Sequence, residues 1–177
     1  MLTLFFIAAS VAVQAAPSAT LPLFTPADHA VLTERALKDC GYATPQETAR
    51  LAISDRKKIV PCFVRATVNK GPSLVPRMIE PGATILSIGE FQGLLTITVQ
   101  LASDHPRAIA AEEASVTFDE TLANRTCQDL WLGGMLDAGM DGDQQSGTMI
   151  VYYLKDMKGA NVRISAIGQC FEKKRSN

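Results

Sequence analysis

The chain has 177 residues, 47% of them hydrophobic, and a formal charge of −1 from 17 Lys and Arg against 18 Asp and Glu. That balance excludes the concentrated basic face that nucleic-acid binding requires, and the length suits one domain with a substantial core. Lys173 to Arg175 is the one basic cluster and reads as a solvated C-terminal tail over 173–177.

The run Leu2 to Val13 is nearly all apolar or small. It is shorter than the roughly 20 apolar residues of a membrane span. It has the length of a signal-peptide hydrophobic region, and Val13-Gln-Ala15 supplies small residues before a cleavage point at Ala16. The expected organisation is a signal peptide over 1–15, an extended Pro/Thr/Leu arm over 16–26 and a single domain over 27–172. No later stretch is long and apolar enough to span a bilayer, so the mature chain is expected to be soluble, in the periplasm or secreted.

Asp28 to Asp39 reads as a helix with Val31, Leu32 and Leu37 on its apolar stripe and Gly41 as its stop. Thr44-Pro-Gln-Glu47 carries a capping box and Pro at the first helical position, so a second helix is expected to start there and end before Pro61. Phe63 to Val68 then reads as a strand, and Asn69 to Gly82, broken by Pro and Gly, as a connection or at most one helical turn. Two hairpins stand out. Ala83 to Gly89 and Leu94 to Leu101 flank a turn at Glu90 to Gly93, with Leu95, Ile97, Val99 and Leu101 on one face and Leu94, Thr96, Thr98 and Gln100 on the other. Thr148 to Lys155 and Ala160 to Ile167 flank a turn at Asp156 to Gly159. Helical segments are expected between them, over Ala108 to Arg125 and Cys127 to Leu136. The fold class is α+β, an antiparallel sheet from two β-hairpins with helices packed on one face.

The four cysteines, Cys40, Cys62, Cys127 and Cys170, are an even number in an exported chain and read as disulfides. Three connectivities are open. Cys40–Cys62 and Cys127–Cys170 are favoured because each pair brackets one supersecondary unit. The zinc alternative lacks a C-x-x-C, and the two histidines are isolated, so no metal ligand is assigned.

Asn69-Lys-Gly71, Cys127, the segment Met135 to Gly139, Tyr152-Tyr153, Gly159 and Cys170 together resemble a group of small exported, disulfide-containing bacterial proteins of uncharacterised activity. The resemblance covers Val68 to Cys170. It implies an α+β fold and an envelope location, and it implies no activity.

Candidate chemistry is sparse. A hydrolytic triad needs a histidine base, yet His29 and His105 each sit beside an aspartate in sequence, away from any nucleophile turn, and read as surface residues. Glu112, Glu113, Asp119 and Glu120 fall on one predicted helix, whereas acid/base pairs face each other across a cleft. Asp141, Asp143 and Gln145 match the first three spacings of a calcium loop, but Ser146 replaces its Gly and Tyr152 its bidentate Glu. No catalytic residue and no cofactor is assigned. Trp131, Leu132 and Met135, in Leu130 to Leu136, crowd a short helix with apolar side chains on more than one side. They are either buried all round or a partner-binding patch. The leading reading is a non-enzymatic binding protein of the bacterial envelope, an accessory or chaperone-like factor of a secretion or envelope assembly. It would dock a protein partner through the Trp131 region or by strand addition at a sheet edge. An inhibitor or immunity-type protein acting through the 137–147 loop is the alternative, and a hydrolase without a legible motif is the third.

Overall fold

The computed structural model describes residues 23–44, 47, 53–110, 116–117, 119–138, 140–141, 144–145, 149–168 and 170. The expected signal peptide, most of the arm, the basic tail, Glu112, Glu113, Asp143 and Ser146 lie outside the described residues.

Helix α1 spans Pro26–Cys40. It starts ahead of the Asp28 expected from sequence because Thr25 caps it. The Thr25 and Asp28 side chains exchange hydrogen bonds with each other's backbone N–H, and Pro26 presets the first turn. Gly41, at φ 75°, ends the helix in the left-handed conformation that glycine adopts without strain. Just before α1, Leu23 and Phe24 are buried in the core rather than extended through solvent.

Helix α2 runs from Ile53 to Leu74 and overturns two expectations. It does not stop before Pro61, and Phe63 to Val68 is helix rather than strand; the helical turn allowed after Asn69 is the end of the same helix. A proline inside a helix costs about 3 kcal/mol, and β-branched residues favour strands. Tertiary burial wins here. Val60, Val64, Thr67, Gly71 and Leu74 are all buried along one stripe at steps of three and four, while Pro61 and Pro72 sit on the exposed side. Gly71 lets the helix lie close on the sheet, since a Cβ there would approach the Ile88 Cβ to 3.2 Å.

Strands β1 (Arg77–Glu80), β2 (Ala83–Phe91) and β3 (Leu94–Leu101) form a meander, its β2–β3 turn made by Gln92 and Gly93, both at positive φ. Next come a short helix α3 (Pro106–Ile109), the two-residue strand β4 (Val116–Thr117) and helices α4 (Glu120–Gln128) and α5 (Leu130–Ala138). The single helix expected over Ala108 to Arg125 is thus divided, and Asp119 caps its second part through the Leu122 N–H. A small hairpin, β5 (Met140–Asp141) with β6 (Gln144–Gln145), precedes β7 (Ile150–Lys155) and β8 (Asn161–Ile167). The β7–β8 turn is organised by Asp156, whose Oδ1 accepts from the N–H groups of Lys158 and Ala160.

The main sheet has the order β1-β2-β3-β7-β8-β4. Both expected hairpins are present and antiparallel, and the chain is a single α+β domain. Their junction, β3 against β7, is parallel, as is β4 against β8. The long helical connection returns β7 to the end where β3 began, and a crossover of that kind makes a parallel pair. Ile85, Ile97, Val99, Leu101, Ile150, Tyr152, Leu154 and Ile167 point inward and are buried beneath the helices.

Candidate functional site

Trp131, Leu132 and Met135 are not an open patch. Trp131 is 6% exposed, Leu132 0% and Met135 2%. The Trp131 ring stacks on Phe63 of α2 with centroids 4.9 Å apart, and its Nε1–H donates to Thr67 Oγ1 at 2.8 Å. α5 is held in this layer by Asp129, whose Oδ1 accepts the N–H groups of Trp131 and Leu132. Its Oδ2 accepts Phe24 N–H, fastening the approach to α1 to the start of α5. A short helix that is apolar on several sides finds its place between α2 and the sheet, so the three residues expected to meet a partner belong to the core.

Of the histidines read as surface residues, His105 is buried and His29 is half-buried. His105 caps α3, its Nδ1 accepting Arg107 N–H at 3.2 Å. Nδ1 therefore carries no proton, and Nε2–H is the donor to Glu80 Oε1 at 3.1 Å. The same Glu80 oxygen receives Arg107 Nη1, and the other receives Arg125 Nη1 at 3.2 Å. Arg107 Nε reaches on to Asp119 Oδ2 at 2.7 Å. Burial disfavours both charged groups of this last pair. Hydrogen bonds and opposite charge outweigh it, raising the Arg107 pKa above its ordinary value and lowering that of Asp119. His29 Nε2 lies 3.4 Å from Asp129 Oδ1 without an aligned hydrogen bond. Neither imidazole touches a Ser, Thr or Cys hydroxyl or thiol among the described residues, and the crevice beside Glu80 and Arg107, about 10 Å³, has room for one water. This cluster ties β1, α3 and α4 together by carboxylate–cation pairs.

Of the calcium-loop residues, Asp141 and Gln145 lie on the facing strands of the β5–β6 hairpin. Among the described residues no group of His, Cys, Asp and Glu is arranged to hold a metal ion. Cys127 and Cys170 are bonded, Cα atoms 5.4 Å apart, joining α4 to the chain just past β8. The expected Cys40–Cys62 bond is not formed, and both are half-buried free thiols. That pairing assumed Cys62 beyond the end of a helix. It stands instead within α2, where Arg65 Nη2 donates to its sulfur at 3.4 Å.

What remains open is the outer face of the sheet. Alternation turns Thr84 and Ser87 of β2, Thr96, Thr98 and Gln100 of β3, Val151, Tyr153 and Lys155 of β7, and Ile164 and Ala166 of β8 away from the core. All are half-buried or exposed, and the helices that pack on the sheet lie on the other side. Met78 at 56% exposure and Val116 at 70% extend the face at its two margins. Lys155 is its one charged residue among the described strand positions. The alternation that reveals this face was legible in sequence for β3, but its continuation across β7 and β8 depends on the parallel junction. The Glu80 cluster, drawn from three separated segments, leaves no sequence signal at all.

No family model matches this chain, and no curated protein matches it. Three solved structures are similar in fold. A candidate secreted protein of Pseudomonas aeruginosa has 11% identity and a TM-score of 0.45 over 63% of this chain and 91% of its own. The pilotin EpsS of the Vibrio vulnificus type 2 secretion system has 12% identity and a TM-score of 0.44 over 64% and 92%. The type II secretion pilotin AspS from Vibrio cholerae has 10% identity and a TM-score of 0.47 over 67% and 97%. With identities this low and superpositions this loose, none of the three fixes a role for this chain.

Proposed function

We propose that this chain is an exported, disulfide-stabilised, non-enzymatic protein that works by binding another protein of the cell envelope, as an accessory or chaperone-like factor of a secretion or envelope assembly. The apolar leader and the Cys127–Cys170 bond support export into an oxidising compartment. The observation that carries the binding reading is the outer face of the sheet. An antiparallel sheet face turned to water ordinarily carries polar side chains, and this one mixes Thr, Ser and Gln with Val, Tyr, Ile and Ala around a single Lys155 among the described strand positions. Low charge at the centre with an aromatic anchor such as Tyr153 is the composition of a protein interface. The site proposed from sequence around Trp131 is replaced by this face.

The test is crosslinking in envelope extract from a photoreactive residue at position 98, compared with one at 157 in the β7–β8 turn. A single adduct from 98, absent from 157 and removed by Tyr153→Lys in a folded variant, supports the reading. Equal adducts from both positions, or an adduct untouched by Tyr153→Lys, moves the interface elsewhere. A second reading, an inhibitor or immunity-type protein, is favoured by one observation: the 137–147 segment contains the β5–β6 hairpin lying near α2. Charge reversal at Asp141 and Asp143 would abolish binding in that case and leave it unchanged in the first.

A further inference from the structure

We propose that the outer face of the sheet takes its partner in one direction, with a carboxylate of the bound protein segment at Lys155 and an apolar end at Phe91 and Leu94. The proposal rests on the binding reading above and adds the chemistry of what is bound. Strand register sets the side chains of this face in rows across the sheet. Thr84, Gln100, Lys155 and Asn161 stand side by side at the end nearest the β7–β8 turn. Thr96, Val151 and Ala166 make an uncharged row further along. Phe91 and Leu94 face each other at the opposite end, beside the β2–β3 turn. Phe91 is 59% exposed and Leu94 is half-buried. In an extended strand, the positions from Leu94 to Gln100 span about 20 Å. One end of the face is polar and the other apolar.

Charge decides the direction. Lys155 is the one charged side chain of this face among the described strand positions. Its ammonium donates to the Gly159 carbonyl at 3.3 Å, and among the described residues no carboxylate pairs with it. Asp156, next in the chain, is engaged elsewhere, its Oδ1 accepting the Lys158 and Ala160 N–H groups. A partner that covers the face strips water from the ammonium, which costs free energy unless a negative group takes the water's place. A carboxylate beside Lys155 does so, and the Gln100 and Asn161 amides in the same row can donate to its second oxygen. Phe91 and Leu94 offer nothing to a charge and gain from apolar contact. A segment acidic at one end and apolar at the other fits in one orientation only. Its reversal buries a carboxylate against Phe91 and leaves Lys155 unpaired.

The experiment crosslinks the protein in envelope extract from photoreactive residues at 94 and at 100, sequences the attached peptides, and repeats both with Lys155→Glu and Lys155→Gln. The expected result is one protein captured from both positions, through an apolar peptide at 94 and an Asp- or Glu-containing peptide at 100. Capture should fall by about tenfold or more in Lys155→Glu and less in Lys155→Gln. It should also weaken as salt rises from about 50 to 500 mM. Should Lys155→Glu fail to fold, the loss of capture is read from Lys155→Gln in its place. An acidic peptide at 94, or capture indifferent to salt and to both Lys155 variants, overturns the proposal. In that event a position-98 adduct still removed by Tyr153→Lys leaves the binding reading standing. Absence of a specific position-98 adduct in the parent overturns both.

Discussion

The two faces of the main sheet are written by the same strands, yet different constraints set them. On the inner face Ile97, Val99, Tyr152 and Leu154 are 2% exposed or less. A charge there would lose its hydration without a partner, so the face is apolar except for small or hydroxyl-bearing side chains such as Ser165 and Tyr152. Even the Tyr152 hydroxyl is satisfied, sharing a 2.8 Å hydrogen bond with Thr126 Oγ1, and burial pushes the phenol pKa well above its usual value. On the outer face, Thr96, Thr98, Val151 and Tyr153 are under no such pressure from the described chain. Strand propensity accounts for Thr, Val and Tyr at these positions, but not for the near absence of Lys and Glu beside them. One face is apolar because folding requires it. The other carries only Lys155 as a charge among its described strand positions without such a requirement, which is why the binding reading rests there.

Substitutions sharpen this contrast. Leu154→Ala, on the inner face, should lower unfolding free energy by about 2–5 kcal/mol in denaturant titration, from lost transfer energy and the cavity left behind. Removing the Cys127–Cys170 bond, by Cys127→Ala with Cys170→Ala or by reductant, should lower it by about 2–4 kcal/mol, because the bond closes a 43-residue separation. Gly133→Ala should cost about 1–3 kcal/mol, since its Cβ would meet the Cys127 carbonyl oxygen at 2.6 Å, where backbone on both sides limits any relief. Thr98→Lys, on the outer face, should change stability by about 0.5 kcal/mol or less while still abolishing the proposed binding. A large stability loss for Thr98→Lys would mean the outer face is covered within the folded chain, and the contrast would collapse.

Acid offers a separate handle on the polar contacts that frame the sheet. Burial alone would raise the Asp28 carboxyl, but hydrogen bonds from Arg77 and Thr25 and the Arg77 charge hold it at about 2, against 3.8 ordinarily. A depressed folded-state pKa contributes stability above pH 3.8 that disappears as pH falls through about 2. Asp119, also lowered, acts in the same direction. Asp28→Asn should therefore have a shallower decline in Tm between pH 4 and 2 than the parent. Identical slopes would show that the Arg77 pair adds nothing.

Local patterns were readable. The β2–β3 and β7–β8 hairpins follow from period-two alternation and from turn residues within a few positions, and the Gly41 stop of α1 from its own neighbourhood. α2 was not readable in the same way. Pro61 and the β-branched run through Val68 argue locally against a helix, and only packing of Val60, Val64, Thr67 and Leu74 against the rest of the protein overrules them. Trp131 shows the limit for sites. The sequence admits both core and patch for an apolar helix, and the Phe63 stack and the Thr67 hydrogen bond decide for core.

By itself, then, the sequence determined the α+β class, the two hairpins and the residues that face inward along β3, because each depends on interactions between near neighbours. The tertiary structure decided the parallel junction of β3 with β7, the length of α2, the free thiols of Cys40 and Cys62 and the convergence of His105, Arg107 and Arg125 on Glu80. Those depend on contacts between segments far apart in the chain, whose energies outweigh local preference only once the sheet and its helices are assembled.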